Sequence, residues 1–170
     1  MEVNMRDQIT FGGNPVTLLG KEIKVGDKAL DFVAVNTDLS PFKFSELDKK
    51  IKIISVVPSV DTRICEFQTI RFNEEATKHP DVVVLTISVD LPFAQKRFCV
   101  ANDIENSIVV SDHKDLDFGM KYGFAMKEMR LLGRGIVVVD AQNIVRYVEY
   151  VSEIGSHPDY DKVLDFLEKM

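Results

Sequence analysis

The chain has no tryptophan and only two cysteines in 170 residues, and neither cysteine belongs to a Cys-x-x-Cys pair. Thiols so far apart, with His79, His113 and His157 scattered in polar, turn-like settings, match no zinc-ligand spacing. Basic residues are outnumbered, 21 Lys and Arg against 27 Asp and Glu, for a net charge of −6. Without clustered Lys and Arg there is no footprint for phosphate backbones, so no nucleic-acid partner is expected. No apolar run approaches bilayer-spanning length, which excludes a membrane helix. The amino-terminal run Met1-Glu2-Val3-Asn4-Met5-Arg6-Asp7 has no apolar core of a secretory signal. A cytoplasmic location is therefore expected. In a reducing cytosol a lasting disulfide is disfavoured. A bridge between the two cysteines would contribute roughly 3–4 kcal/mol through loop closure. A chain this long buries a core without that staple, so a transient, functional bridge is the better expectation.

What is present reads as one domain over residues 1–170. Ile9-Thr10-Phe11, a Gly12-Gly13-Asn14 turn and Val16-Thr17-Leu18 predict a hairpin over about 8–19. Ile51 to Val57 and Val82 to Ser88 are nearly continuous apolar runs, as expected of strands buried on both faces. Between them, Ile64, Phe67, Ile70, Phe72 and Ala76 give helical spacing, stopped by His79-Pro80. Asp90 is placed to cap a second helix with Pro92 in its first turn. Ile108-Val109-Val110 predicts a short strand, and Asp115 to Tyr122 a helix closed by Gly123. Two strands around Asp140-Ala141-Gln142-Asn143 and an amphipathic helix from Pro158 to Lys169 complete the chain. The β-α-β start, later hairpin and terminal helix predict an α/β sandwich of thioredoxin-like type, with helices covering both faces of a mixed sheet.

Cys65 closes the run Pro58-Ser59-Val60-Asp61-Thr62-Arg63-Ile64-Cys65, directly after the first buried strand. With Asp61 or Thr62 as N-cap, it falls in the first helical turn, where free amides and the helix dipole favour an anion. An ordinary thiol with a pKa near 8.5 is only about 3% thiolate at pH 7. Dipole and guanidinium raise that fraction by about thirty-fold at most, so any larger acceleration comes from stabilising charge developing on the substrate. Free cysteines are more often small buried hydrophobes than nucleophiles. Cys99, beside Phe98, fits that description better than Cys65.

The pattern Pro58-x-x-x-Thr62-x-x-Cys65 resembles the peroxidatic-cysteine motif of peroxiredoxins. Together with Leu91-Pro92-Phe93-Ala94-Gln95…Arg97-Phe98-Cys99, it is similar to the thiol peroxidases, atypical two-cysteine peroxiredoxins. Phe11-x-Gly13-Asn14-Pro15-Val16, Tyr122-Gly123, Arg134-x-x-Val137-Val138-Val139-Asp140 and Glu153-Ile154…Pro158-Asp159-Tyr160 extend the likeness over nearly the whole chain. The resemblance implies the peroxiredoxin variant of the thioredoxin-like fold. It makes Cys65 the peroxidatic thiolate, oxidised by hydrogen peroxide or an organic hydroperoxide to a sulfenic acid. Thr62 would hydrogen-bond the thiolate and the peroxide, Pro58 would shape the pocket, and Arg134 would reach Cys65 from an opposing strand. Cys99 would be the resolving thiol, closing an intrachain disulfide that thioredoxin reduces. No metal, haem or flavin cofactor is implied, and a homodimer is.

Each residue has a plainer alternative. Thr62 serves equally as an N-cap, Pro58 as a strand terminator, and Arg134 as a solvated strand-end charge. Arg63 and Arg130 compete with Arg134 as the cation beside Cys65. Arg63 also fills a spacer often held by a small residue or Pro, and Lys127-Glu128-Met129-Arg130 is short for the loop before Arg134. Asp112, Asp115 and Asp117 read as solvated helix-end charge. A thiol–disulfide oxidoreductase, disfavoured by the missing Cys-x-x-Cys, and a non-catalytic redox sensor are the competing functions.

Overall fold

The two long apolar runs become the centre of a mixed sheet because both of their faces are covered. The computed structural model describes residues 5–47 and 50–170; Met1 to Asn4, part of the run read for a signal, lie outside the described residues. In chain order the first strands are β1 (Thr10–Phe11), β2 (Asn14–Pro15), β3 (Leu18–Leu19), β4 (Val33–Asn36), β5 (Pro41–Lys43) and β6 (Ile51–Val56). Then come α1 (Arg63–Lys78), β7 (Val82–Ser88), α2 (Pro92–Ala101), β8 (Ile108–Ser111) and α3 (Asp117–Tyr122). The chain closes with β9 (Ala125–Met126), β10 (Gly135–Val139), β11 (Val145–Tyr150) and α4 (Tyr160–Glu168).

Seven strands form the main sheet in the order β11-β10-β6-β7-β8-β4-β5. The pairs β6–β7 and β7–β8 are parallel, as crossovers through α1 and α2 require, and the outer pairs are antiparallel. Successive side chains point to opposite faces. Ile54, Val56, Leu85, Ile87, Val137 and Val139 therefore pack with Phe32, Phe118, Tyr122 and Phe124 on one side. Ile53, Val84, Ile136 and Val138 pack with Phe72 of α1 and Val163 and Leu167 of α4 on the other. Each such large apolar side chain contributes about 1.5–3 kcal/mol on burial. Ser55 breaks the apolar run of β6, and it is fully buried.

Three expectations change at this level. The hairpin is tighter than its sequence spacing suggests, with Thr10 opposite Pro15 and Phe11 opposite Asn14. Gly12 and Gly13, at φ 59° and 80°, supply the two positive-φ residues of a two-residue turn. Leu18–Leu19 is thereby released to pair with β9 instead. Asp90 does not cap α2, whose N-cap is Leu91 with Pro92 at its first turn. Its carboxylate turns back toward the loop after β6. Asp112 is buried, not solvated, and accepts from the Phe118 and Gly119 amides at 3.1 and 2.8 Å, holding the start of α3.

Candidate active site

The loop from Val57 to Thr62 carries the chain from the end of β6 into α1, and Pro58 is buried in it. Asp90 fixes its course: the Ser59 hydroxyl donates to Asp90 Oδ1 at 2.7 Å and the Val60 amide to Oδ2 at 2.8 Å. Ser88 Oγ adds a bond to the same carboxylate at 2.6 Å. Thr62 is the N-cap residue by its extended backbone, φ −99° and ψ 151°. Its side chain caps nothing. The exposed Thr62 Oγ1 donates to the Ser59 carbonyl at 3.2 Å, so the hydroxyl is not on the Cys65 sulfur in this state.

Cys65 is the third residue of α1, one residue before the first intrahelical bond from Glu66 N to Thr62 O at 2.9 Å. The amides of the first turn thus lack intrahelical acceptors and their dipole faces the thiol's end of the helix. The sulfur is wholly buried. Arg134, immediately before β10 and 3% exposed, brings a guanidinium to it, with Nη2 donating to Cys65 Sγ at 3.1 Å. Two further bonds set the plane of that group: Nε donates to the Ile154 carbonyl at 2.7 Å and Nη1 to Gln68 Oε1 at 2.9 Å. These two acceptors are neutral, so the cation's field is directed toward the sulfur and whatever binds there.

Gln68 and Ser55 are the residues that sequence reasoning missed. Gln68 Nε2 donates to Ser55 Oγ at 2.8 Å and to the Val56 carbonyl at 3.4 Å, anchoring α1 on β6 while its Oε1 holds Arg134. Two signals were available. Gln68 lies three residues beyond Cys65, on the same helix face, and Ser55 is an uncharged polar residue in a buried strand. The competing cations lie elsewhere: Arg63 is exposed, and Arg130 donates to the His113 carbonyl at 3.3 Å. Tyr160, at the start of α4, is close enough to feel both Arg134 and Cys65, yet burial pushes its phenol up to about 12, so it stays neutral.

Cys99 lies on α2, and both cysteines are free. They share one apolar cluster with Val57, Val60, Phe98, Ile104 and Val109, Cys99 partly buried at its margin. Burial pushes the Cys99 thiol up from its ordinary value, keeping it protonated at neutral pH in this packing. Of the two thiols, Cys65 is the one with a guanidinium bonded to its sulfur and a place in the first turn of its helix. Among the described residues no three His, Cys, Asp or Glu side chains are grouped as metal ligands, and no helix is long and apolar enough to cross a membrane.

Comparison with known proteins identifies the family. The Redoxin family model matches residues 24–164. The thiol peroxidase of Oceanobacillus iheyensis is 54% identical over 161 residues, covering 95% of this chain and 98% of that protein. The thiol peroxidase of Bacillus subtilis is 51% identical over 158 residues, covering 93% and 95%. A crystal structure of a peroxiredoxin-like protein from Aquifex aeolicus superposes with a TM-score of 0.89 at 40% identity, covering 95% of each chain. Likeness at this level runs over nearly the full length of each partner. The chain belongs to the Redoxin family and, within it, to the thiol peroxidases, oxidoreductases that reduce peroxides.

Proposed function

We propose that Cys65 is the peroxidatic nucleophile and Arg134 its electrostatic partner. The observation that carries this reading is the 3.1 Å bond from a buried guanidinium to a fully buried sulfur in the first turn of a helix. The Cys65 thiolate attacks the terminal oxygen of a hydroperoxide. An S–O bond forms, the O–O bond breaks, and the alkoxide or hydroxide leaves and takes a proton as alcohol or water. Charge passes from sulfur to the leaving oxygen during this step. A guanidinium with several donors in one plane follows that movement better than a point charge does. Pro58 closes the pocket to water, and Thr62 swings its hydroxyl from the Ser59 carbonyl to the bound peroxide. Gln68 acts through Arg134, as a positioning residue.

The resulting sulfenic acid condenses with the Cys99 thiol, releasing water and forming the Cys65–Cys99 disulfide. Since Cys99 sits on a packed helix, local opening of the Cys65 turn and of α2 precedes that step, because disulfide geometry brings Cα atoms to within about 7 Å. Hydrogen-exchange protection of residues 58–68 and 92–101 is expected to fall on oxidation. A thioredoxin-type dithiol then reduces the bridge by exchange, its own thiols being oxidised. Work as a cytoplasmic homodimer fits this cycle. The deciding experiment is peroxide-dependent NADPH oxidation coupled through thioredoxin and its reductase. Cys65→Ser is expected to abolish it, and full turnover by that variant would refute the assignment. Running hydrogen peroxide beside a bulky organic hydroperoxide in the same assay ranks the substrates.

A further inference from the structure

The amino-terminal hairpin has no part in the chemistry above, yet it is tied to the site by a carboxylate. Glu153 lies in the segment between β11 and α4 and accepts from Thr10 Oγ1 at 2.5 Å, from Gly12 N at 2.8 Å and from Gly13 N at 3.1 Å. The Gly155 amide adds a fourth bond at 3.1 Å. Two successive turn amides facing one anion form a small backbone nest, and here the protein's own carboxylate fills it. Hydrogen bonds from the Thr10 hydroxyl and from the Gly155, Gly12 and Gly13 amides hold Glu153 at about 2, so it is ionised throughout the working range.

Backbone bonds carry the connection inward. Thr10 N donates to the Ser152 carbonyl at 2.7 Å, and Ile154 N donates to the Thr10 carbonyl at 2.8 Å, so Thr10 clamps the segment on both sides of Glu153. The Ile154 side chain is buried among Ile9, Val16 and Met126, beneath the same hairpin. Its carbonyl accepts from Arg134 Nε, whose guanidinium reaches Cys65. Val151 N also donates to the Arg134 carbonyl at 2.9 Å, so main chain and side chain of the arginine both lean on this segment.

From this continuous path we infer that Glu153 is a positioning residue for peroxide reduction: its clasp on the hairpin fixes the Ile154 carbonyl, which aims the Arg134 guanidinium at Cys65. The inference rests on the proposed roles of Cys65 and Arg134. It assigns the hairpin a task, that of an outer brace for the catalytic cation. Misdirecting a preorganised donor by a fraction of an ångström lowers the rate without removing any reacting group.

The test uses the full chain with Glu153→Ala, Glu153→Gln and Thr10→Val, each alone and with Arg134→Gln. Single-turnover oxidation of Cys65 by hydrogen peroxide is quenched with an alkylating agent and read by mass spectrometry, beside the pH profile of iodoacetamide alkylation and Tm. Glu153→Ala is expected to slow oxidation between about tenfold and a hundredfold and to move the alkylation profile to higher pH. Glu153→Gln, which keeps one acceptor oxygen, is expected to recover part of the loss. In the Arg134→Gln background the Glu153 change is expected to add little, because its route runs through Arg134. Thr10→Val, which removes one hydroxyl at nearly constant volume, gives a milder form of the same effect and serves if Glu153→Ala fails to fold. A lowered Tm with unchanged oxidation rate and alkylation profile would overturn the inference. So would full additivity with Arg134→Gln. Oxidation by peroxide that persists at the same rate in Cys65→Ser would instead refute the underlying assignment of the nucleophile.

Discussion

Arg134 Nη2 and Cys65 Sγ meet at 3.1 Å across 69 positions of sequence, one from the strand end before β10 and one from the first turn of α1. Because β10 and β6 pair antiparallel, Gly135 lies opposite Val56, and the residue before Gly135 falls beside the loop that leaves β6. The register of one strand pair therefore delivers the cation to the thiol. Gly135 is part of this fit. A β-carbon there would lie 2.6 Å from the Phe124 ring and would collide with the Glu149 carbonyl oxygen of the neighbouring strand.

Arg134→Lys is expected to cut single-turnover oxidation of Cys65 by about a hundredfold or more, although charge is conserved. Lysine offers a compact point charge and cannot serve Ile154, Gln68 and the sulfur together in one plane. The measurement is the second-order rate with hydrogen peroxide. A variant within threefold of the parent would show that charge alone suffices.

Gln68→Leu, nearly isosteric, removes the acceptor for Arg134 Nη1 and the donor to Ser55 and Val56. It leaves buried polar groups without their partner, so unfolding stability in urea is expected to drop by about 1–3 kcal/mol. The oxidation rate should fall too, but by less than in Arg134→Lys, because the Ile154 carbonyl still holds Nε.

Asp90→Asn loosens the link between the Cys65 loop and the start of α2, since Ser59, Val60 and Ser88 all bond to the carboxylate. Charge-assisted bonds of this kind are worth about 1.5–3 kcal/mol each. Losing part of that in the packed form should speed disulfide closure after peroxide by about tenfold, with little change in the first oxidation step. Quenched-flow alkylation with mass spectrometry separates the two. Closure at the parental rate would place the opening barrier elsewhere.

Stability should decline between pH 4 and 7 through Asp112. Burial pushes its carboxyl up to about 6 from an ordinary 3.8, against the Gly119 and Phe118 amides that pull it down. The protonated form is thus favoured in the folded chain. That contribution is complete below about 3.8 and is lost as pH rises through about 6, a change of about 3 kcal/mol. Urea midpoints at half-unit intervals test it, because Asp112→Asn cannot titrate and should lack this part of the slope.

Much of this was legible in the chain itself. The runs Ile51–Val57 and Val82–Ser88 could only be strands covered on both faces, and helical spacing from Ile64 to Ala76 followed one of them. The order of Pro58, Thr62 and Cys65 then singled out the turn proposed as reactive. Such features depend on local periodicity and on groups a few residues apart, which a sequence displays directly. Asp90 and Asp112 were misread for the converse reason. Each looked like a local cap or a solvated charge, and each is instead folded back onto backbone amides, at Val60 or at Phe118 and Gly119, that tertiary packing brings within reach.

The sequence by itself determined the fold class and the identity of the thiol at the strand-to-helix turn, because hydrophobic period and turn chemistry are written in neighbouring residues. Only the tertiary structure decided which of three arginines faces that thiol, that Gln68 and the Ile154 carbonyl aim it, and that the hairpin reaches the site through Glu153. Those relations are set by strand register and by the burial of polar groups that must find partners away from water, and distance along the chain carries no record of either.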